Sequence, residues 1–131
     1  MRNQSELVRL LKKEGHDVTQ SSVSRDLRDI GALRKAIEKA KQTFGNISVL
    51  INNAADDTRH KFSEVTPEYW DERLAINMRP AFFAAQAVYP QMKETGGGSI
   101  INFGSLSWMI CTGGMPAYTA SKAAMHGLSR G

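Results

Sequence analysis

The chain has 131 residues, enough for one domain of ordinary size, and its 41% hydrophobic and 23% charged residues are usual for a soluble globular protein. Apolar runs such as Val49-Leu50-Ile51 are far too short for a membrane span, the polar start Met1-Arg2-Asn3-Gln4-Ser5-Glu6 is no secretory leader, and a lone Cys111 excludes an internal disulfide framework, so no membrane association and a cytoplasmic location are expected. The net charge of +4 lies entirely in residues 1–45, with ten Lys/Arg against six Asp/Glu, a surplus that suits either an ordinary solvated face or an acidic partner such as nucleic acid.

Asn3 and Glu6 form a capping-box pattern ahead of Leu7, Leu10 and Leu11 at helical spacing, and Gly15 fits a left-handed cap, which predicts a first helix. After a turn at His16-Asp17, Thr19 caps a second predicted helix carrying Val23, Leu27 and Ile30, with Gly31 as its end. A third helix carries Leu33, Ile37, Ala40 and Phe44 on one stripe and closes at Gly45-Asn46. The pattern then changes. Ile47–Asn52 is a short run rich in β-branched residues, as in a strand buried on both faces, and 53–58 is polar loop. Thr66-Pro67-Glu68 is a strong helix start, and helix is predicted from there toward Glu94 with bends near Pro80 and Pro90. Gly96-Gly97-Gly98 is a turn, Ser99–Phe103 a second buried-type strand, 104–116 a loop, and Ala117–Arg130 a final helix.

Tyr118 and Lys122 lie four apart on that last helix and therefore share a face. An ammonium beside a phenol stabilises the phenolate, which lets the Tyr exchange a proton with an alcohol or carbonyl oxygen. The pair alone is weak evidence. Its neighbours add to it: Ser105 follows the second strand, Asn52-Asn53-Ala54 ends the first, and Asn77 falls in the helix between them.

The order strand, Asn-Asn-Ala, helix with Asn, strand, Ser and Tyr-x-x-x-Lys from about Leu33 to Gly131 resembles the middle of a short-chain dehydrogenase/reductase. Phe44-Gly45-x-Ile47-x-Val49-Leu50-Ile51-Asn52-Asn53-Ala54 is similar to the family's fourth-strand signature, with Ala55 where Gly is usual. The resemblance implies that Tyr118 is the acid/base, that Ser105 orients the substrate, that Lys122 tunes the Tyr and holds the nicotinamide ribose, and that Asn77 supports a relay water. It further implies that Asn53 steadies the sheet, that the backbone at Ala54 lines the adenosine side, and that Asp26 touches adenine after a third strand. The cofactor would be NAD or NADP. No metal site is assigned.

Two features qualify that reading. No Gly-x-x-x-Gly-x-Gly or Gly-x-Gly-x-x-Gly occurs in the 131 residues, so tight cofactor binding is not expected. The segment Val18-Thr19-Gln20-Ser21-Ser22-Val23-Ser24-Arg25-Asp26-Leu27, with Ser5 to Gly15 before it, resembles the helix-turn-helix of bacterial arginine repressors, which implies that Gln20, Ser21, Ser22, Ser24 and Arg25 face DNA. Residues 1–31 carry six basic and five acidic groups, a poor balance for phosphate-driven affinity.

The expected architecture is therefore helix-rich α/β: a helical hairpin over 1–31, then a truncated Rossmann-like segment over 32–131 with about two parallel strands. The chain reads as a chimera joined where the two likenesses overlap. The leading expectation is a catalytically inactive remnant serving as a protein-binding scaffold, an inhibitor or an antitoxin-like neutraliser. Self-association or a protein partner would use its open strand edges. A weak NAD(P)-dependent oxidoreductase and a DNA-binding regulator are the alternatives.

Overall fold

A computed structural model describes Lys13 and residues 20–131, with side chains described at Lys13 and from Ile30 onward. Apart from Lys13, which is helical, the predicted first helix, the His16-Asp17 turn and the Thr19 cap lie outside the described residues. Two compact units divide the chain, residues 1–36 and 37–131.

Helix α1 spans Gln20–Phe44 without a break. The stop expected at Gly31 does not occur. A glycine inside a helix costs about 1 kcal/mol relative to alanine, and the good helix formers that follow, Ala32-Leu33-Arg34-Lys35-Ala36, outweigh that cost. Lys41 stands in the last turn, where a cation opposes the negative helix end, and Gly45 closes the helix by donating its N–H to the Lys41 carbonyl at 2.9 Å.

The unit over 37–131 is a βαβ arrangement. Strand β1 (Val49–Asn52) pairs in parallel with β2 (Ser99–Asn102), in the register Val49–Ser99 through Asn52–Asn102. Bonds from Ser99 N–H to the Ser48 carbonyl (2.8 Å) and from Phe103 N–H to the Asn52 carbonyl (3.0 Å) extend the ladder at both ends. Between the strands lie a one-turn 3-10 helix (Phe62–Glu64), α2 (Pro67–Asn77) and α3 (Arg79–Glu94). A second 3-10 turn (Leu106–Trp108) and α4 (Pro116–Leu128) follow β2.

Local chemistry sets these boundaries. The Thr66 hydroxyl accepts the Tyr69 N–H at 3.2 Å and caps α2, Pro67 takes the first helical position, and Glu68 sits in the first turn. The Glu68 carboxyl is held below its usual range by its own backbone N–H and by Thr66. The predicted bend falls at Met78, where α2 stops and α3 begins. Pro80 has no N–H to offer the preceding turn. At the end of α3, Gly97 N–H reaches the Met92 carbonyl (2.8 Å) and Gly96 N–H the Lys93 carbonyl (3.3 Å). This double closure puts Gly96 at φ +87°, a conformation that favours glycine. Gly98 has a different reason for lacking a side chain: a Cβ there would meet Met92 Cγ at 2.5 Å.

The core of this unit is small and lies among α2, α3 and α4. It contains Ala81, Ala84, Val88, Met92, Met115, Ala117 and Met125. Helix α3 packs on β1, α2 packs on both α3 and α4, and α4 packs on the second 3-10 turn. The strands differ from expectation. They are not buried on both faces: Ile51 is 58% exposed, and Val49, Ile100 and Ile101 are also exposed. Within residues 37–131 α3 packs on β1 and the sheet has two strands, so two of the four β1 residues and three of the four β2 residues are exposed. Among the described residues no helix is long and apolar enough to cross a membrane.

Candidate active site

Lys122 defines the site. It is 3% exposed, on α4, and its Nζ donates to the Phe103 carbonyl at 2.9 Å, just beyond the end of β2. Burial pushes its ammonium below the usual lysine range. One helical turn earlier, the half-buried Tyr118 presents its ring 5.9 Å from Lys122 Nζ. Ser105 caps the second 3-10 turn, its Oγ accepting the Ser107 N–H at 3.1 Å. That bond occupies an oxygen lone pair and leaves the hydroxyl proton available. Ser105 and Lys122 line one cavity of about 370 Å³ together with Asn102, Gly104, Trp108 and His126; Tyr118 is not on its wall.

Asn77 serves a different place. Buried at the end of α2, it accepts the Asp56 N–H (2.7 Å) and donates to the Asp56 carbonyl (3.0 Å). Its side chain thus fixes the loop that follows β1. The Asp56 carboxylate accepts from Thr58 N–H and Oγ and from Arg73, and these bonds lower its pKa to about 2. The four residues that the spacing singled out therefore fall into two groups. Ser105 and Lys122 share a cavity at the end of β2, with Tyr118 one turn before Lys122 on α4, whereas Asn77 braces the loop on the neighbouring strand.

The tie across the sheet is made by Asn52, not Asn53. Asn52 Nδ2 donates to Asn102 Oδ1 (2.8 Å) and to the Ala81 carbonyl on α3 (3.3 Å), while Asn53 and Ala54 are exposed in the loop. Parallel register puts Asn52 and Asn102 side by side, and only pairing the strands reveals it. Sequence reasoning also passed over Asp56, Arg73 and Gln91. The Gln91 Oε1 accepts the Ile47 N–H at 2.8 Å and steadies the entry to β1. Asp26 lies inside α1 and not at a strand end, where contact with adenine would need it. Gln20, Ser21, Ser22, Ser24 and Arg25 share that helix, and their side chains lie outside what is described.

A second cavity, about 510 Å³, lies between the second 3-10 turn and α4, lined by Phe62, Trp108, Cys111, Pro116 and Thr119 among others. It is the larger of the two but includes none of Ser105, Tyr118 and Lys122, so volume does not mark the chemistry. Among the described residues no group of three or more His, Cys, Asp or Glu could hold a metal.

A parallel βαβ unit with a Ser and a buried Lys lining a cavity beyond a strand's carboxyl end, and a Tyr one turn from that Lys, fits a Rossmann-like segment. The family model for short chain dehydrogenases matches residues 1–131, and the chain belongs to that family. It is 44% identical over 108 residues to the protein named probable galactose dehydrogenase of Rhizobium meliloti, covering 82% of this chain and 42% of that one. It is 45% identical over 96 residues to D-xylose 1-dehydrogenase of Caulobacter vibrioides, covering 73% and 39% respectively. The crystal structure of a short-chain dehydrogenase/reductase from Burkholderia xenovorans matches with a TM-score of 0.71 at 26% identity, over 77% of this chain and 40% of that one.

These findings correct two expectations. The family match runs through residues 1–31, and nothing supports an arginine-repressor portion or a chimeric junction. The repressor likeness rested on a short polar stretch, and α1 continues through the point where a recognition helix would end. The reading as an inactive scaffold is overturned as well, because the relatives matched at 44–45% identity are named dehydrogenases. The chain spans about two fifths of the length of those curated relatives, so the lack of a glycine loop in 131 residues does not measure catalytic loss.

Proposed function

We propose that the chain carries the acid/base part of an NAD(P)-dependent oxidoreductase acting on a hydroxyl or carbonyl of a small sugar. The observation that carries this reading is the buried Lys122 ammonium, which shares a cavity wall with Ser105 beyond β2 and lies 5.9 Å from the Tyr118 ring. The sugar class is taken from the names of the two relatives matched at 44–45% identity.

Lys122 fits a nicotinamide cofactor. A protonated Nζ has three donors, and Phe103 is its one hydrogen-bond acceptor among the described residues. Two N–H directions on a cavity wall suit the vicinal hydroxyls of a ribose. When bound, NAD(P) supplies the hydride acceptor or donor. The protein's own residues manage the proton and the substrate oxygen. Ser105 donates its free hydroxyl proton to that oxygen and so orients it. Tyr118 takes the hydroxyl proton in oxidation and returns it in reduction. The Lys122 cation beside the ring stabilises the phenolate that takes the proton in oxidation and is left behind in reduction, and its burial strengthens that interaction. Asn77 acts on the scaffold, by holding the Asp56 loop against α2.

The test is turnover of purified protein with NAD+ or NADP+ and either D-xylose or D-galactose. Sugar-dependent appearance of reduced nicotinamide is expected. No turnover with any sugar or alcohol, in protein shown to be folded, contradicts the reading.

A further inference from the structure

The amino end of α4 lacks a cap of its own. Met115 makes no side-chain capping bond, and Pro116 has no N–H to satisfy. Ala117 is therefore the first residue with an orphan donor, and it is fully buried. A residue fifty-seven positions earlier fills the gap: Ala117 N–H donates to His60 Nε2 at 3.4 Å. The other ring nitrogen, Nδ1, faces the Thr58 carbonyl and the Tyr69 hydroxyl, each at 2.9 Å. A carbonyl can only accept, so Nδ1 carries the proton and Nε2 is the bare acceptor. This neutral tautomer satisfies every contact.

His60 is also the centre of a clamp. Its N–H donates to the Gly114 carbonyl (2.8 Å), and Arg59 Nη1 donates to the Gly113 carbonyl (3.2 Å). The loop bearing both is anchored on α2 through Tyr69, which packs edge-on against the imidazole, and through Arg73 and Asn77 at Asp56. The residue after Ala117 is Tyr118.

We infer that His60 is a positioning residue for Tyr118, a cap on the Tyr-Lys helix supplied from the opposite loop that works only while its imidazole is neutral. A protonated Nε2 would set N–H against N–H and place a cation at the positive end of the helix. The groups around the ring do not offset this. Tyr69 on α2 is neutral, Arg73 behind it is cationic and lies 5.0 Å from the Tyr69 ring centroid, and Arg59 in the loop is cationic. Asp56 is engaged by Thr58 and Arg73, and the first turn of α4 has no acidic residue. The inference rests on Tyr118 being the acid/base, but capping can be read without turnover.

The test is NMR on the whole chain: the His60 ring, the Ala117 and Tyr118 amides and their hydrogen exchange, followed from pH 8 to pH 5. The Ala117 amide should titrate with the His60 midpoint and exchange about five-fold faster once His60 is protonated, the worth of one cap. His60→Ala should give that faster exchange at every pH. His60→Gln keeps an acceptor and gains no proton, so it should retain protection and lose the pH response; it carries the test if His60→Ala does not fold. A Ala117 amide indifferent to His60 protonation, or a His60→Gln chain with the wild-type pH response, overturns the inference. Either result leaves the functional reading standing, since that depends on Tyr118 turnover.

Discussion

Replacing Asn77 with alanine removes two hydrogen bonds at once, both to the backbone of Asp56, at 2.7 and 3.0 Å. Each is worth about 1 kcal/mol net, and stranding a dry N–H or carbonyl adds to the loss. Asp56 is half-buried, so water can reach part of what is exposed, and the expected cost is about 2–3 kcal/mol. With a urea slope of about 2 kcal/mol/M, the middle of the usual range, the unfolding midpoint should fall by about 1–1.5 M. Asn77→Asp is a sharper variant. It keeps an acceptor for the Asp56 N–H but turns an oxygen toward the Asp56 carbonyl, so it should not recover half of the loss. Urea unfolding followed by fluorescence measures both. A midpoint shift below about 0.3 M for Asn77→Ala would show that the loop is held by something other than this side chain, and the division of the four residues into a chemical group and a bracing residue would fail.

Other consequences follow from the same structure. Val88 is fully buried, and Val88→Ala removes two methyl-sized groups from the α3 face, so calorimetric or urea unfolding should register a loss of about 2–3 kcal/mol. Asp56 is lowered from 3.8 to about 2, chiefly by its Thr58 bonds and then by Arg73. The unfolded chain binds the extra proton between those values, so Asp56 supports stability above about pH 4 and the support is lost as pH falls toward 2. Asp56→Asn should flatten that part of the stability curve relative to wild type. Lys122 gives a slope of the same sign in an alkaline window and for a different reason, since burial disfavours its charged form. Burial lowers its folded pKa below 10.5, so the unfolded chain holds the proton longer, and stability from this group rises as pH climbs toward 10.5. The difference in unfolding free energy between wild type and Lys122→Met should move accordingly with alkaline pH, and a pH-independent difference would count against burial as the cause.

Features governed by neighbours in sequence were legible. Thr66-Pro67-Glu68 announced the start of α2, Pro80 marked the break at Met78, and the glycines after Glu94 marked the closure of α3. The two strands and their parallel pairing followed from short apolar runs separated by a helical crossover. Features set by juxtaposition were not legible. Asn52 and Asn53 are equivalent in the sequence, and only the register with Asn102 decides which one ties the sheet. His60 is a solitary histidine in a polar loop, and its bond to Ala117 N–H spans fifty-seven positions. Gly31 misled because a local breaker was weighed without the helix formers around it. Spacing together with the family resemblance singled out Ser105, Tyr118 and Lys122, and the structure brings Ser105 and Lys122 onto one cavity wall without Tyr118. The functional expectation failed for a different reason: it counted what 131 residues lack, whereas the relatives matched at 44–45% identity are dehydrogenases more than twice as long as the segment they share with this chain.

The central claim is that Tyr118 moves the proton while Lys122 and Ser105 prepare its surroundings. The most direct measurement is kcat/KM for sugar-dependent reduction of NAD+ or NADP+ by wild type and Tyr118→Phe, with urea unfolding run on both proteins. Loss of a general acid/base should lower kcat by about 10²–10⁴-fold, with the unfolding midpoint nearly unchanged, since the phenol makes no hydrogen bond to another described residue. Equal turnover in the two folded proteins would contradict the account.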